Sequence, residues 1–121
     1  MPKFRVLLVD DEQDFLTVMG RRIESWGYEV IPVSGGKEAL EVVKRDKPDL
    51  VLLDIKMKGM DGIAALKHIK DIDKKIKVVM VTALDDQDRI NEACKLGACE
   101  YITKPLVLDH LEAAVEKNFT I

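Results

Sequence analysis

A chain of 121 residues, 47% hydrophobic and 34% charged, has the composition of an ordinary globular domain and excludes a disordered, fibrous or disulfide-stapled architecture. Its net charge of -3, from 19 basic and 22 acidic residues, supplies no cationic footprint for nucleic acid or for an anionic membrane. A single domain over residues 1–121 is expected, large enough to bury about two-thirds of the surface its unfolded chain exposes.

The amino terminus runs straight into an apolar stretch at 4–9, without the long apolar core or cleavage site of a signal peptide, so a cytoplasmic chain is expected. That stretch reads as a buried strand ending in acid, Asp10-Asp11-Glu12. A helical period follows in Phe15, Met19, Ile23 and Trp26, with Asp11, and Asp14 three residues later, as a candidate cap and Gly27 as the stop. Residues 28–33 form a weaker strand, and Gly35-Gly36 turns into a helix with Ala39, Leu40 and Val43 on one face, closed by Pro48. The third strand is Asp49-Leu50-Val51-Leu52-Leu53-Asp54, apolar throughout until its terminal carboxylate. Such a run, fenced by Pro and Gly, fits a central strand covered on both faces.

From Asp61-Gly62 a third helix turns Ile63, Leu66 and Ile69 inward and ends in a solvated charged run at 70–75. Residues 76–81 are the fourth strand, leading into Thr82-Ala83. Asp85-Asp86-Gln87-Asp88 opens a fourth helix, acidic where the macrodipole prefers it, with Ile90, Ala93 and Gly97 along it. Residues 99–102 are a short fifth strand, and Lys104-Pro105 leads to a last helix with Leu108, Leu111 and Val115 on its buried face. Cys94 and Cys99 match neither a zinc pattern nor a disulfide framework and read as small buried hydrophobes. His68 and His110 have no partner at ligand or triad spacing and read as helix-surface residues.

Five strand and helix alternations imply an α/β fold, a doubly wound parallel sheet with right-handed crossovers and helices on both faces. Ligands of such sheets bind outside the carboxyl ends of the strands, where Asp10, Asp11, Asp54 and Thr82 fall, with Lys104 following the fifth. In the strand order 2-1-3-4-5, one of two common orders, strands one and three are neighbours roughly 5 Å apart. Three carboxylates then crowd one crevice and raise each other's pKa unless a cation joins them. Magnesium suits, since it accepts a few carboxylates, keeps several waters and completes its shell with phosphate oxygens. Thr82 and Lys104 add a hydroxyl and an ammonium, donors for an anion. Together the groups describe phosphoryl transfer to a carboxylate, with Asp54 as nucleophile.

These residues make the chain resemble the receiver domain of two-component response regulators, of the chemotaxis-receiver-like, flavodoxin-like type, over essentially its whole length. The matching residues are Asp10-Asp11, Asp54, Thr82-Ala83, Tyr101 and Lys104-Pro105, and 54–62 looks like the family's phosphorylation loop. The resemblance implies a phosphoacceptor switch rather than an enzyme, one that assists its own phosphorylation and dephosphorylation. Asp54 would take the group from a sensor histidine kinase or phosphotransfer protein. Asp11, Asp54 and the Lys56 backbone carbonyl would bind Mg2+, with Asp10 acting through water. Thr82 and Lys104 would hold phosphoryl oxygens, Pro105 would follow a cis bond, and Thr82 and Tyr101 would form the switch. The surface of the fourth helix, fifth strand and fifth helix would then change for an effector domain or target protein. One residue departs from the pattern: Lys58 stands where the family usually has proline, which predicts a looser loop.

Three other readings compete. A flavodoxin-type cofactor domain needs a hydroxyl- and glycine-rich phosphate cradle where Asp10-Asp11-Glu12 would repel phosphate. A haloacid-dehalogenase-type phosphatase wants a second acid where Lys56 stands. A receiver-like interaction module that is not phosphorylated is the stronger rival, opposed by the complete acidic set with Thr82 and Lys104.

Overall fold

The computed structural model describes residues 4–83, 87–98, 100–104 and 108–119. The chain alternates β1 (Arg5–Val9), α1 (Gln13–Ser25), β2 (Glu29–Val33), α2 (Gly36–Asp46), β3 (Leu50–Asp54), α3 (Gly62–Ile72), β4 (Lys77–Ala83), α4 (Gln87–Lys95), β5 (Glu100–Lys104) and α5 (Leu108–Phe119). All pairings are parallel and the order is β2-β1-β3-β4-β5, the doubly wound arrangement expected. No helix among the described residues is long and apolar enough to cross a membrane.

Strand side chains alternate between faces, and each face carries its own core. Leu7, Val9, Val51, Leu53, Val78 and Met80 pack with α2, α3 and α4. Val6, Leu8, Leu50, Leu52, Val79 and Val81 pack with α1 and α5. Both sets are buried, which is why β1, β3 and β4 read as unbroken apolar runs. The two-sided cover leaves only the strand ends open, so polar groups that close β1, β3 and β4 meet at one rim.

Several expectations are corrected. The most buried stripe of α1 is Leu16, Gly20 and Ile23, while Phe15, Met19 and Trp26 are half-buried beside it. Asp11 does not cap α1: Glu12 is the N-cap residue and makes no side-chain cap bond. Gly97 lies beyond α4, at φ 103°, and ends that helix instead of lying along it. β5 extends through Lys104. Leu108 is 36% exposed, because the stripe of α5 that meets the sheet is Leu111, Ala114 and Val115, with Asn118 buried alongside. Cys94 is exposed on α4; the α4 face that meets the core belongs to Ile90 and Ala93. Asp85, Asp86, Cys99 and Pro105, with its expected cis bond, lie outside the described residues.

Candidate functional site

The register fixes where the site residues meet. Val9 pairs with Leu53 across β1 and β3, so Asp10 and Asp54 end neighbouring strands at the same level. Asp54 pairs with Val81, placing Thr82 one step beyond it, and Ala83 pairs with Lys104. Asp10, Asp11 and Asp54 each offer a carboxylate oxygen within 4.8 Å of the others'. Asp10 is fully buried, Asp54 is 5% exposed and Thr82 is 1% exposed, so the sheet holds two carboxylates and a hydroxyl largely out of water.

Each carboxylate is oriented by the backbone. Asp10 Oδ1 accepts from the Glu12 N–H at 2.9 Å. Asp54 Oδ1 accepts from the Lys56 N–H at 3.2 Å, and Asp11 Oδ2 from the Lys58 N–H at 3.0 Å. Lys104 supplies the counter-charge, its Nζ lying 2.7 Å from Asp10 Oδ2 and 3.5 Å from Asp54 Oδ2. Glu12 Oε1 is 3.4 Å from the same nitrogen, and the Phe15 ring lies beneath it with its centroid 4.6 Å away. The sequence reading gave neither Glu12 nor Phe15 a role in the site. Glu12 was visible as the third acid of a run, whereas Phe15 carried only the signal of a helix core position.

The loop behind β3 is shaped by two glycines. Gly59 has φ 81°, in the left-handed region. Gly62 begins α3 so close to β3 that a Cβ there would lie 2.0 Å from the Asp54 carbonyl oxygen, and its N–H donates to the Ile55 carbonyl at 2.9 Å. Asp61 caps α3 by accepting from the Ile63 N–H, and its other oxygen pairs with Arg89 of α4. The segment 55–61 thus joins α3 and α4 to the Asp54 end of the sheet.

Burial raises the Asp54 carboxyl to about 6; the Lys104 ammonium opposes this and the Asp10 charge adds to it. For Lys104, burial pulls the ammonium down, but the hydrogen bond to Asp10 and the charges of Asp54, Asp10 and Glu12 outweigh it and hold the group above its ordinary value. Among the described residues, Lys104 therefore faces more negative charge than it can balance. The donor set fits a hard divalent cation: oxygen-only, three carboxylates converging, and too few protein ligands to displace all its waters. Both oxygens of Asp10 and both of Asp54 accept a bond within the protein.

Tyr101 lies on the edge strand β5 and is 45% exposed. Thr82 pairs with Thr103 and Met80 with Tyr101, so Thr82 and Tyr101 are diagonal neighbours on one face of the sheet. His68 and His110 are exposed on α3 and α5, as expected.

The fold and site define a class: a doubly wound domain whose strand ends gather acids, a hydroxyl and a lysine around two buried aspartates. Residues 6–116 match the family "Response regulator receiver domain", and the chain belongs to that family. It is 39% identical over 113 residues to sporulation initiation phosphotransferase F of Bacillus subtilis, covering 93% of this chain and 91% of that one. It is 42% identical over 112 residues to the transcriptional regulatory protein ZraR of Escherichia coli, covering 93% of this chain but 25% of that one. A response regulator receiver domain protein (CheY-like) from Methanospirillum hungatei superposes with a TM-score of 0.90 at 30% identity, covering 97% of this chain and 94% of that chain.

Proposed function

We propose that this chain is the phosphoacceptor switch of a two-component system, taking a phosphoryl group on Asp54 from a phosphohistidine of a sensor kinase or phosphotransfer protein. The supporting observation is the Asp54 carboxylate, buried at the end of β3 with two further aspartates within 4.8 Å and Lys104 beside it. One Asp54 oxygen attacks phosphorus as the phosphorus–nitrogen bond breaks, and the electron pair leaves with the imidazole. The domain arranges this transfer and the later hydrolysis without being a turnover enzyme.

Asp11, Asp54 and the Lys56 backbone carbonyl are the groups to hold a magnesium ion, with Asp10 acting through water. When bound, the ion neutralises charge on the transferring group and keeps Asp54 ionised. Lys104 and Thr82 take phosphoryl oxygens as donors. Asp54 ends β3 at the open rim but is only 5% exposed, so little bulk water reaches the nucleophile.

The output follows from the diagonal pair. A Thr82 hydroxyl drawn to the phosphoryl group leaves space that the Tyr101 ring can fill. That changes the α4, β5 and α5 surface, where Tyr101 and His110 line a groove of about 450 Å³ between β5 and α5. The partner on that face is an effector domain or target protein, in a cytoplasmic pathway, with no nucleic acid bound by this domain itself. Phosphorylation shifts the equilibrium only by its differential stabilisation of the two states, and a near-complete flip needs about 5.5 kcal/mol. A partial shift is expected.

The test is intact mass after incubation with magnesium and acetyl phosphate, for the parent and Asp54→Ala. Gain of one phosphoryl group by the parent only, abolished by chelator, supports the reading. No gain in the parent from either acetyl phosphate or a set of phosphorylated histidine kinases overturns it in favour of an interaction module.

A further inference from the structure

The Lys104 ammonium is held by more than carboxylates. Phe15, in the first turn of α1, is half-buried and packed against the core that contains Val6, Leu8 and Leu16. Its ring lies under Lys104 Nζ at 4.6 Å from the centroid, within the range of a cation–π contact. The lysine side chain is 21% exposed, so this contact is partly desolvated.

We propose that Phe15 is a positioning residue for the phosphoryl-binding lysine, its ring fixing the Lys104 ammonium at the site while the carboxylates around it turn to other partners. The inference rests on the phosphoacceptor reading. In the structure the Lys104 ammonium is held by one oxygen each of Asp10 and Asp54, and a cation held by Asp11 and Asp54 would weaken the pull of the Asp54 charge on it. Phosphoryl transfer then uses one Asp54 oxygen to form the new bond to phosphorus. Glu12, with its side chain 70% exposed and 3.4 Å away, is screened by water and adds little. The ring is uncharged and takes part in no bond-making, so neither the cation nor the phosphoryl group competes for it. Lys104 has a flexible four-carbon stem with no intrinsic direction, and the ring supplies one that persists through the reaction. An aliphatic residue at position 15 would fill the same core space without the negative face that attracts the ammonium.

The experiment compares the parent with Phe15→Leu, Phe15→Tyr and a chain carrying trifluorophenylalanine at position 15, which keeps the ring's size and strips its face of negative potential. Each is titrated with beryllofluoride, a phosphoryl stand-in, in the presence of magnesium, and each is unfolded in urea. We expect beryllofluoride affinity to fall about two- to fivefold in the Leu and trifluoro chains. Phe15→Tyr retains the parent's affinity, and the urea midpoints of the trifluoro and Tyr chains match the parent's. Equal affinity in the parent and trifluoro chains overturns the inference. A parent that binds no beryllofluoride counts against the phosphoacceptor reading instead. The hold of the ring on the lysine is then read directly from the Lys104 ε-proton resonances, which the ring current moves upfield in the parent and not in Phe15→Leu; identical shifts in the two overturn it.

Discussion

The backbone N–H of Lys58 donates to Asp11 Oδ2 at 3.0 Å, tying the loop behind β3 to the acids behind β1 through a bond that proline at this position has no hydrogen to make. The lysine in place of the family's usual proline predicts a looser loop, yet the amide it restores fastens that loop to a carboxylate of the acidic cluster. A hydrogen bond to a charged acceptor contributes about 1.5 kcal/mol or more when sheltered and less at an exposed position such as this. Removing the acceptor with Asp11→Ala is expected to speed exchange of the Lys58 amide by about five- to tenfold. Amide exchange followed by NMR at fixed pH reads this directly, and an unchanged rate would show that the loop is held by other contacts.

The raised carboxyl of Asp54 makes a prediction about stability whose sign follows from proton counting. Between 3.8, its ordinary value, and about 6, its value in the folded chain, the native state holds more protons than the unfolded one. Stability therefore falls as pH rises through that window and levels off above it. The full penalty of holding the carboxyl at about 6 is roughly 3 kcal/mol. With chelator present, Asp54→Asn is expected to be more stable than the parent by about 2–3 kcal/mol at pH 7.5, with the gap closing toward pH 4. Adding magnesium narrows the gap at pH 7.5, because the ion binds the ionised parent. Urea denaturation at the two pH values checks both statements, and a gap independent of pH would remove burial of the Asp54 charge as its cause.

Which parts of this were legible in the sequence follows from what each residue's partner is. β1, β3 and β4 were readable because the sheet is covered on both sides, so every residue from Val6 to Val9 and from Leu50 to Leu53 had to be apolar. Asp10, Asp54, Thr82 and Lys104 were readable because strand ends converge once the order is known. The faces of α1 and α5 were less so. On α1 the sequence offers two apolar stripes one residue apart, and Leu16, Gly20 and Ile23 win the deepest places while Phe15 meets a lysine 89 positions away, a partner that no local periodicity can indicate. Cys94 is exposed because helix phase, not side-chain type, decides burial on α4: Ile90 and Ala93 share the face that meets the core, and Cys94, one position on, is turned roughly 100° away from it. The Asp11 to Lys58 bond, across 47 positions, depends on loop geometry that residue types alone do not specify.

Gly62 is a steric requirement of the site. An added Cβ would lie 2.0 Å from the Asp54 carbonyl oxygen and 2.6 Å from the Ile55 Cα, both backbone atoms that no rotamer change can clear. Gly62→Ala must therefore push α3 away from the end of β3, at a cost of about 2–4 kcal/mol of stability on the scale of core overpacking. The Gly62 N–H bond to Ile55 would lengthen with it and shift the Asp54 backbone. Urea unfolding and acetyl phosphate labelling of the same variant are both expected to suffer; parent-like values in either would mean that the loop yields more readily than its backbone contacts imply.

The pairing of Thr82 with Thr103 and of Met80 with Tyr101 gives the proposed switch a chemical reporter. The chain has two tyrosines, and they differ in setting: Tyr101 is 45% exposed, while Tyr28 is half-buried and packs edge-on against Phe4 at 5.7 Å between centroids. Beryllofluoride with magnesium should slow nitration of Tyr101 while leaving Tyr28 unchanged. A decrease of about threefold corresponds to the inward ring rising from roughly a tenth to two-thirds of the population. Thr82→Ala removes the hydroxyl that links phosphoryl group to ring, so the ligand should still bind but leave the Tyr101 nitration rate where it was. Peptide mapping of the nitrated chains separates the two sites. Equal protection of Tyr101 in parent and Thr82→Ala would mean that the signal reaches β5 by another route, for which the Asp61 and Arg89 pair between the α3 cap and α4 is the next contact to break.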